Sequence, residues 1–456
     1  MTRSLDPDAP YPYDDSKPVR SGIPGRTWTI IVILALVGQI AWAVENNFFN
    51  LFIQDVFGAS LSHVALMVSA SALTATATTL LVGAWSDRIG RRKVFVVVGS
   101  LLWGLSICAF AVLQNASDAL ARDAAAAASL GITLTIIFDC IMTFFGSTAN
   151  DACFNAWLTD ITNDTNRGKV EGVNSAMPLL SMLVVFGGAM FLMIVGSDGS
   201  VTYDYSLFFT IIGAVVIVAG IVAAFMMEDS HPERRPKGGF LKSVAYGFTP
   251  AAMRENKALY LLLVTFCIFA IGMQVIMPYY VLYLRLPYIL GENYVFVMAP
   301  CIIIAAVFTI VYARQVDKHG FNLAIIVPFG LFIIGCIVLA AVKSAVMVFV
   351  GSALLLSGYL SGAACFGAEI RNRTPVDRVG LFQGLRIFMI VLVPMLIGPW
   401  LGSLISTFSA NSAIVSLGFG VVGDGFTPSS LIFALAAPFA ALAWGIIKTF
   451  RKSILK

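Results

Sequence analysis

Twelve apolar runs, each about 20 residues or longer, leave this chain few ways to fold. They fall at roughly 28–52, 62–84, 93–114, 128–158, 170–195, 206–227, 258–284, 294–313, 321–342, 346–369, 381–407 and 430–448. A helix of about 20 residues crosses the roughly 30 Å hydrocarbon core of a bilayer. Inside that core each backbone amide must be bonded within its own segment or in a closed barrel. A barrel would show alternating segments of about 10 residues, and the runs here are continuous. Only 12% of residues are charged, and the mean hydropathy is +0.88; soluble domains carry about 25% charge. The expectation is an all-α membrane protein of twelve transmembrane helices in two pseudo-symmetric six-helix bundles.

The intervening segments divide the chain. Residues 1–27 are polar, rich in Asp and Pro, and are expected to form a disordered tail without a cleavable signal peptide. Residues 28–227 would form the first bundle, 228–257 a linker, 258–450 the second bundle and 451–456 a short tail. If the N-terminus is cytoplasmic, 26 of the 29 Lys and Arg residues lie on the inner side; Arg122, Arg285 and Lys343 are the exceptions. That asymmetry predicts cytoplasmic termini and a multi-pass protein of the inner or plasma membrane. The seven cysteines, an odd number, lie inside apolar runs and read as packing residues rather than a disulfide framework.

Between the second and third runs stands Gly83-Ala84-Trp85-Ser86-Asp87-Arg88-Ile89-Gly90-Arg91-Arg92-Lys93. Charge at the bilayer centre costs about 2.5–3.5 kcal/mol per group, so this knot belongs at a surface. Gly83 and Gly90 suit a sharp hairpin. A basic loop alone would satisfy the charge asymmetry, but the order D-R-x-G-R-R-K is more specific. A partial copy, Ala313-Arg314-Gln315-Val316-Asp317-Lys318-His319-Gly320, follows the eighth run. Asp317 and Gly320 stand 230 residues after Asp87 and Gly90. A weaker echo joins Asp160 and Arg167-Gly168 to Glu369 and Arg378.

These residues resemble the loop between helices 2 and 3 of the major facilitator superfamily, with Trp85 and Ser86 departing from its usual leucine and alanine. Gln39-Ile40-Ala41-Trp42-Ala43-Val44-Glu45-Asn46-Asn47 and Asn155-Ala156-Trp157-Leu158-Thr159-Asp160, followed by Asn166-Arg167-Gly168-Lys169, are similar to the glycoside–pentoside–hexuronide sugar:cation symporters and related sucrose transporters. The resemblance implies alternating access and a conformational latch at Gly83, Asp87, Arg88, Gly90, Arg91, Arg92, Asp160, Arg167, Asp317 and Glu369, with Arg91 meeting Asp160. A network of charges between moving parts can bias a two-state equilibrium even where single pairs are weak.

Ionisable groups inside membrane spans mark function by default. Glu45 stands about 17 residues into the first run, near the midplane. Asp151 lies nine residues before Asp160, about 13 Å deep. Asp139, twelve residues further along, is expected near the outer mouth. Glu45, Asp151 and Asp139 are the candidates for proton or cation coupling, because a low-dielectric cavity favours a neutral, proton-carrying carboxyl. Any of them could instead form a static ion pair. The solute site is expected from Trp42, Glu45, Asn46, Asn150, Asp151, Gln274, Tyr279, Tyr280, Tyr283, Gln383 and Arg386: amides and carboxylates for hydroxyl groups, rings for C–H faces. Each polar or aromatic residue taken singly suits packing or an interfacial belt as well, and Arg386 could simply snorkel. Pro278 should bend the seventh helix.

No G-x-x-x-x-G-K-[ST] loop is present, and His63, His231 and His319 are too dispersed for haem or most zinc chemistry. No enzyme activity, metal or cofactor is expected beyond a transported H+ or Na+, and no nucleic-acid partner. The reading is a monomeric secondary transporter taking up a small polar solute, a sugar or glycoside, with a proton. The alternatives are a proton-coupled drug or metabolite exporter, a lipid flippase or scramblase, and an intramembrane enzyme or receptor on the same scaffold.

Overall fold

The computed structural model describes residues 23–162, 166–195, 201–229, 248–374, 384–408 and 425–450. Twelve helices among them are long and apolar enough to cross a membrane. They are α1 (Gly25–Phe57), α2 (Leu61–Ile89), α3 (Arg92–Phe110) and α4 (Ala124–Ile161), then α5 (Arg167–Met190) and α6 (Tyr205–Met226). The second half holds α7 (Lys257–Leu284), α8 (Tyr294–His319), α9 (Phe321–Ala341), α10 (Ala345–Arg373), α11 (Gly384–Phe408) and α12 (Leu431–Thr449). Between α5 and α6 the chain makes a small antiparallel hairpin, β1 (Met193–Val195) and β2 (Val201–Tyr203).

Local chemistry explains the ends. Gly58 stops α1 in the left-handed region (φ 64°), a conformation glycine enters without a Cβ clash. Ser60 and His63 cap the start of α2 reciprocally. The Asp123 carboxylate accepts from the Ala126 amide at 2.8 Å at the start of α4, and Asp204 accepts from Leu207 at 2.9 Å at the start of α6. Gly90 (φ 70°) and Gly320 (φ 75°) both sit at the ends of the paired repeat helices α2 and α8. The connection after α2 is tighter than the sequence suggests: Gly83 lies inside α2, and only Gly90 and Arg91 separate α2 from α3. The fifth helix ends at Met190 rather than 195, because the chain turns into β1 there.

The halves repeat one packing scheme. In the first, α3 packs on α6, α1 on α5 and α2 on α4; in the second, α9 packs on α12, α7 on α11 and α8 on α10. Between halves, α2 meets α11 and α5 meets α8, again an equivalent pair. Small residues allow the closest crossings. A Cβ on Gly104 of α3 would stand 2.6 Å from the Gly213 carbonyl oxygen of α6. Outward-facing Leu81, Val218, Ile310 and Ile337 are exposed, as lipid contact requires. The face bearing the Gly90 turn is called the basic face below, and the other the opposite face.

Candidate functional site

Two helices depart from regular geometry where the acids stand. α1 contains a π-helical turn at Glu45–Phe49 and α4 one at Ser147–Phe154. Such a turn inserts a residue, re-aims the side chains around it and frees carbonyl groups. The asparagines of α1 take up those carbonyls: Asn46 donates to Trp42 O at 2.8 Å, Asn47 to Ala43 O at 2.8 Å and Asn50 to Asn46 O at 3.0 Å. On α4, Ser147 Oγ donates to Asp151 Oδ2 at 3.0 Å. The helices touch at Gly38, where a Cβ would fall 2.1 Å from Asn150 Nδ2.

Glu45 is buried where α1, α2 and α4 meet. Ser71 Oγ lies 2.5 Å and Thr143 Oγ1 3.1 Å from Glu45 Oε1, and the two hydroxyls are 2.9 Å apart. The second oxygen, Oε2, is buried and has no partner. This triangle has three oxygen–oxygen edges, but its two hydroxyls bring only two protons. All three edges become hydrogen bonds when Glu45 itself carries a proton.

Asp139 is 1% exposed, and its Oδ1 also lacks a partner. Four residues before Thr143, it shares that residue's face of α4 and lies within electrostatic range of Glu45. The expected position near the outer mouth is therefore corrected: Asp139 belongs to the buried layer of Glu45. Asp151 is half-buried and also interacts with Glu45. The Trp42 indole N–H faces Asp151 without a hydrogen bond of ordinary geometry, and its ring packs 5.1 Å from that of Trp103. Among the described residues, no basic side chain pairs with these three acids.

The remaining candidates separate by environment. Asn46 and Arg386 are exposed, Trp42 and Gln274 half-buried, and Asn150 buried against Gly38. Gln274 sits at the α7–α11 crossing, where a Cβ on Gly398 would approach its own Cβ to 2.5 Å. Tyr279, Tyr280 and Tyr283 are 0–1% exposed and do not line an open surface. The Tyr279 hydroxyl lies 2.7 Å from Pro399 O and 3.1 Å from Leu61 O, tying the halves together. Tyr283 donates to Leu339 O at 3.4 Å. The Tyr280 hydroxyl faces Ser352 without a well-formed bond. Their spacing put them at a plausible depth, but their faces of α7 turn into the bundle. Tyr359 on α10, half-buried, is a further candidate that its Leu/Ser/Gly surroundings concealed. Gln383 lies outside the described residues, as do the side chains of Arg167 and Asp317.

On the basic face the hub is Arg92, not Arg91. Arg92 is buried and pairs with Asp87, with Asp160 Oδ2 at 3.3 Å and with Ser86 Oγ at 2.5 Å. Arg88 and Arg91 are exposed. Ser86, fully buried, is thus a guanidinium partner rather than a neutral departure from the motif. Glu369 pairs with Arg373 one turn along α10, at 2.7 Å.

The opposite face is closed by contacts between halves. Arg285, just past α7, reaches Asp55 Oδ2 of α1 at 2.5 Å and Glu292 Oε1 at 2.9 Å. Tyr205 donates to Asp55 Oδ2 at 2.6 Å. The Tyr203 and Tyr294 hydroxyls meet at 2.8 Å, and the Arg285 guanidinium lies 5.6 Å from the centre of the Tyr203 ring. Burial opposes the charge on Arg285, but Asp55 and Glu292 more than offset it and hold its pKa above the usual arginine value. Leu61 donates its amide to Gly425 O at 2.9 Å, Gln54 bonds Phe426 O, and Trp400 Nε1 reaches Ser69 Oγ at 3.1 Å.

The fold has many solved counterparts. A bacterial homologue of the human lysosomal transporter Spinster, in an inward-facing and unoccupied conformation, is 15% identical with a TM-score of 0.69, covering 95% of this chain and 98% of that one. A D-xylose-proton symporter is 12% identical with a TM-score of 0.67, covering 92% and 97%. The nucleoside transporter NupG is 10% identical with a TM-score of 0.64, covering 92% and 98%. At these identities the likeness is one of fold. No curated protein matches the sequence significantly. The Major Facilitator Superfamily domain model, however, matches residues 31–399. With that match over most of the chain, twelve candidate spans and the repeated six-helix packing, this multi-pass membrane protein belongs to the Major Facilitator Superfamily and is a transporter rather than an enzyme.

Proposed function

We propose that the protein moves a small polar solute, a sugar or glycoside, by proton-coupled symport with alternating access. The observation that carries this reading is the Glu45–Ser71–Thr143 triangle, whose hydrogen bonds are complete only with a protonated carboxyl. Glu45 and Asp139 form the coupling layer. Asp151, Trp42, Asn46, Gln274 and Tyr359 face the solute, with amides and the carboxylate taking hydroxyl groups and the rings taking C–H faces. The fold likeness to a D-xylose-proton symporter supports the same chemistry. In this reading the basic face is cytoplasmic, as the distribution of Lys and Arg suggests. The protein acts as a monomer, with bundles at 28–227 and 258–450.

The test is uptake into proteoliposomes. Glu45→Gln should lose accumulation driven by a proton gradient while keeping solute exchange at zero gradient. Wild-type accumulation by this variant would overturn the coupling role. A thermal-shift screen against mono- and disaccharides addresses the cargo, because a ligand that binds the folded state raises its melting point.

A second reading, export of an organic cation, is favoured by one arrangement: the Asp151 carboxylate beside the Trp42 ring suits a substituted ammonium group. Protonated amines added to the same screen discriminate the two. Stabilisation by amines and by no sugar would favour export.

A further inference from the structure

The closure on the opposite face holds an uneven count of charge. Two carboxylates, Asp55 and Glu292, share one guanidinium, Arg285. Asp55 belongs to the first half; Arg285 and Glu292 belong to the second. Arg285 is 14% exposed by its side chain, and Glu292 Oε2 is buried without a partner. A static clamp would need only the Asp55–Arg285 pair, and the second carboxylate burdens it with an unsatisfied oxygen and a surplus negative charge.

The surplus makes sense if the clamp must open. Separating a buried ion pair is strongly disfavoured when either charge is left alone. Here each member already touches a substitute from its own half. Asp55 accepts from Tyr205 at 2.6 Å, and Tyr205 opens α6 of the first half. Arg285 donates from Nε to Glu292 at 2.9 Å, seven residues along its own half. When the halves part, both charges keep a partner. We propose that Asp55, Arg285 and Glu292 form an exchange gate, in which Glu292 holds the Arg285 charge while the opposite face is open and Asp55 captures it as that face closes. The Tyr203–Tyr294 contact reports the same closure, because it also joins the halves beside the guanidinium.

The proposal rests on alternation of the two halves, not on the identity of the solute or coupling ion, and its test involves no transport. A static clamp predicts that loss of either acid loosens closure. An exchange gate predicts opposite signs. Asp55→Asn removes the capturing charge and should favour the open opposite face. Glu292→Gln removes the holding charge, leaves Arg285 dependent on Asp55 and should favour the closed one. Spin labels at Leu120→Cys and Val346→Cys, on exposed sites of the two halves at this face, in a full-length chain freed of its native cysteines, read the separation by pulsed dipolar spectroscopy. The expected result is a shift of about tenfold in the open-to-closed ratio in each direction, the scale of roughly 1.4 kcal/mol. A shift of both variants in the same direction, or no change with Glu292→Gln, overturns the proposal. Glu292→Asp, which keeps the charge, covers a Glu292→Gln chain that does not fold. It should retain the wild-type distribution, and a shift toward the open state would count against the exchange.

Discussion

The two halves share a scaffold and divide the chemistry. In the first half the described spans bury two acids, Glu45 and Asp139, and half-bury a third, Asp151, and both helices that carry them contain π turns. In the second half, α7 and α10, the equivalents of α1 and α4, run as unbroken α-helices with no acid in their middle. Their polar groups are tyrosines, an amide and hydroxyls. The mid-span acids with π turns beside them thus fall in the first half, whereas the π turn of the second half, Phe388–Leu392 in α11, holds no acid, and hydroxyls such as that of Tyr279 serve as anchors. A pseudo-symmetric fold supports motion of one half against the other, yet the sites inside it need not be symmetric.

The sharpest way to break this comparison is to exchange the loss between halves. Glu45→Gln should abolish gradient-driven accumulation to the level of empty vesicles, whereas Tyr359→Phe on α10 should leave coupling intact and weaken solute binding. If the Tyr359 variant uncouples transport, the division of labour is wrong. Next in size are the packed crossings. Gly38→Ala would drive a methyl into Asn150, and Gly398→Ala would do the same against Gln274. Each should cost about 1–3 kcal/mol by overpacking, read as a lower melting temperature in detergent. The first should also impair coupling, because α4 carries Asp139 and Asp151. Equal loss of coupling in both would blur the contrast.

An effect of similar size is expected at the basic face. Arg92→Gln removes charge-assisted bonds to Asp87 and Asp160 and should cost about 1.5–3 kcal/mol. Arg91→Gln, at an exposed site, should stay within about 0.5 kcal/mol. Parallel thermal unfolding of the two variants checks this, and a larger loss from Arg91 would return the hub to the neighbouring residue. The smallest change is expected from Tyr205→Phe: Asp55 loses the hydroxyl that holds it when the halves part and keeps Arg285 in the closed state, so the closed opposite face should gain only a few-fold, measured with the same label pair.

Much of this architecture is legible in the sequence. The length and number of apolar runs gave the spans, and the 230-residue offset gave the repeat, now seen as Gly90 and Gly320 in matching positive-φ positions. What stayed hidden follows from the direction a side chain takes. Arg91 is the extended residue before α3 and Arg92 the first residue within it, so their side chains leave in different directions, and the buried one meets Asp160. Depth along α4 puts Asp139 near the outer mouth, but its burial depends on which neighbour covers that face. The π turns at Glu45 and Ser147 have no sequence mark as strong as a proline. Tyr279, Tyr280 and Tyr283 look like ligands by composition and serve as struts by direction. β1 falls inside the fifth apolar run, because Met193, Ile194 and Val195 are as hydrophobic as the helix before them, while β2 lies in the gap before the sixth.

Glu45 opens the wide turn of α1, and that location has a mechanical corollary. A bulge of one extra residue can migrate along a helix by swapping neighbouring carbonyl partners, without unwinding the rod. Moving it by a single step swivels the residue at its edge by roughly 100°. In the coupling role proposed for Glu45, one such step would swing its carboxyl away from Ser71 and Thr143 without unwinding α1.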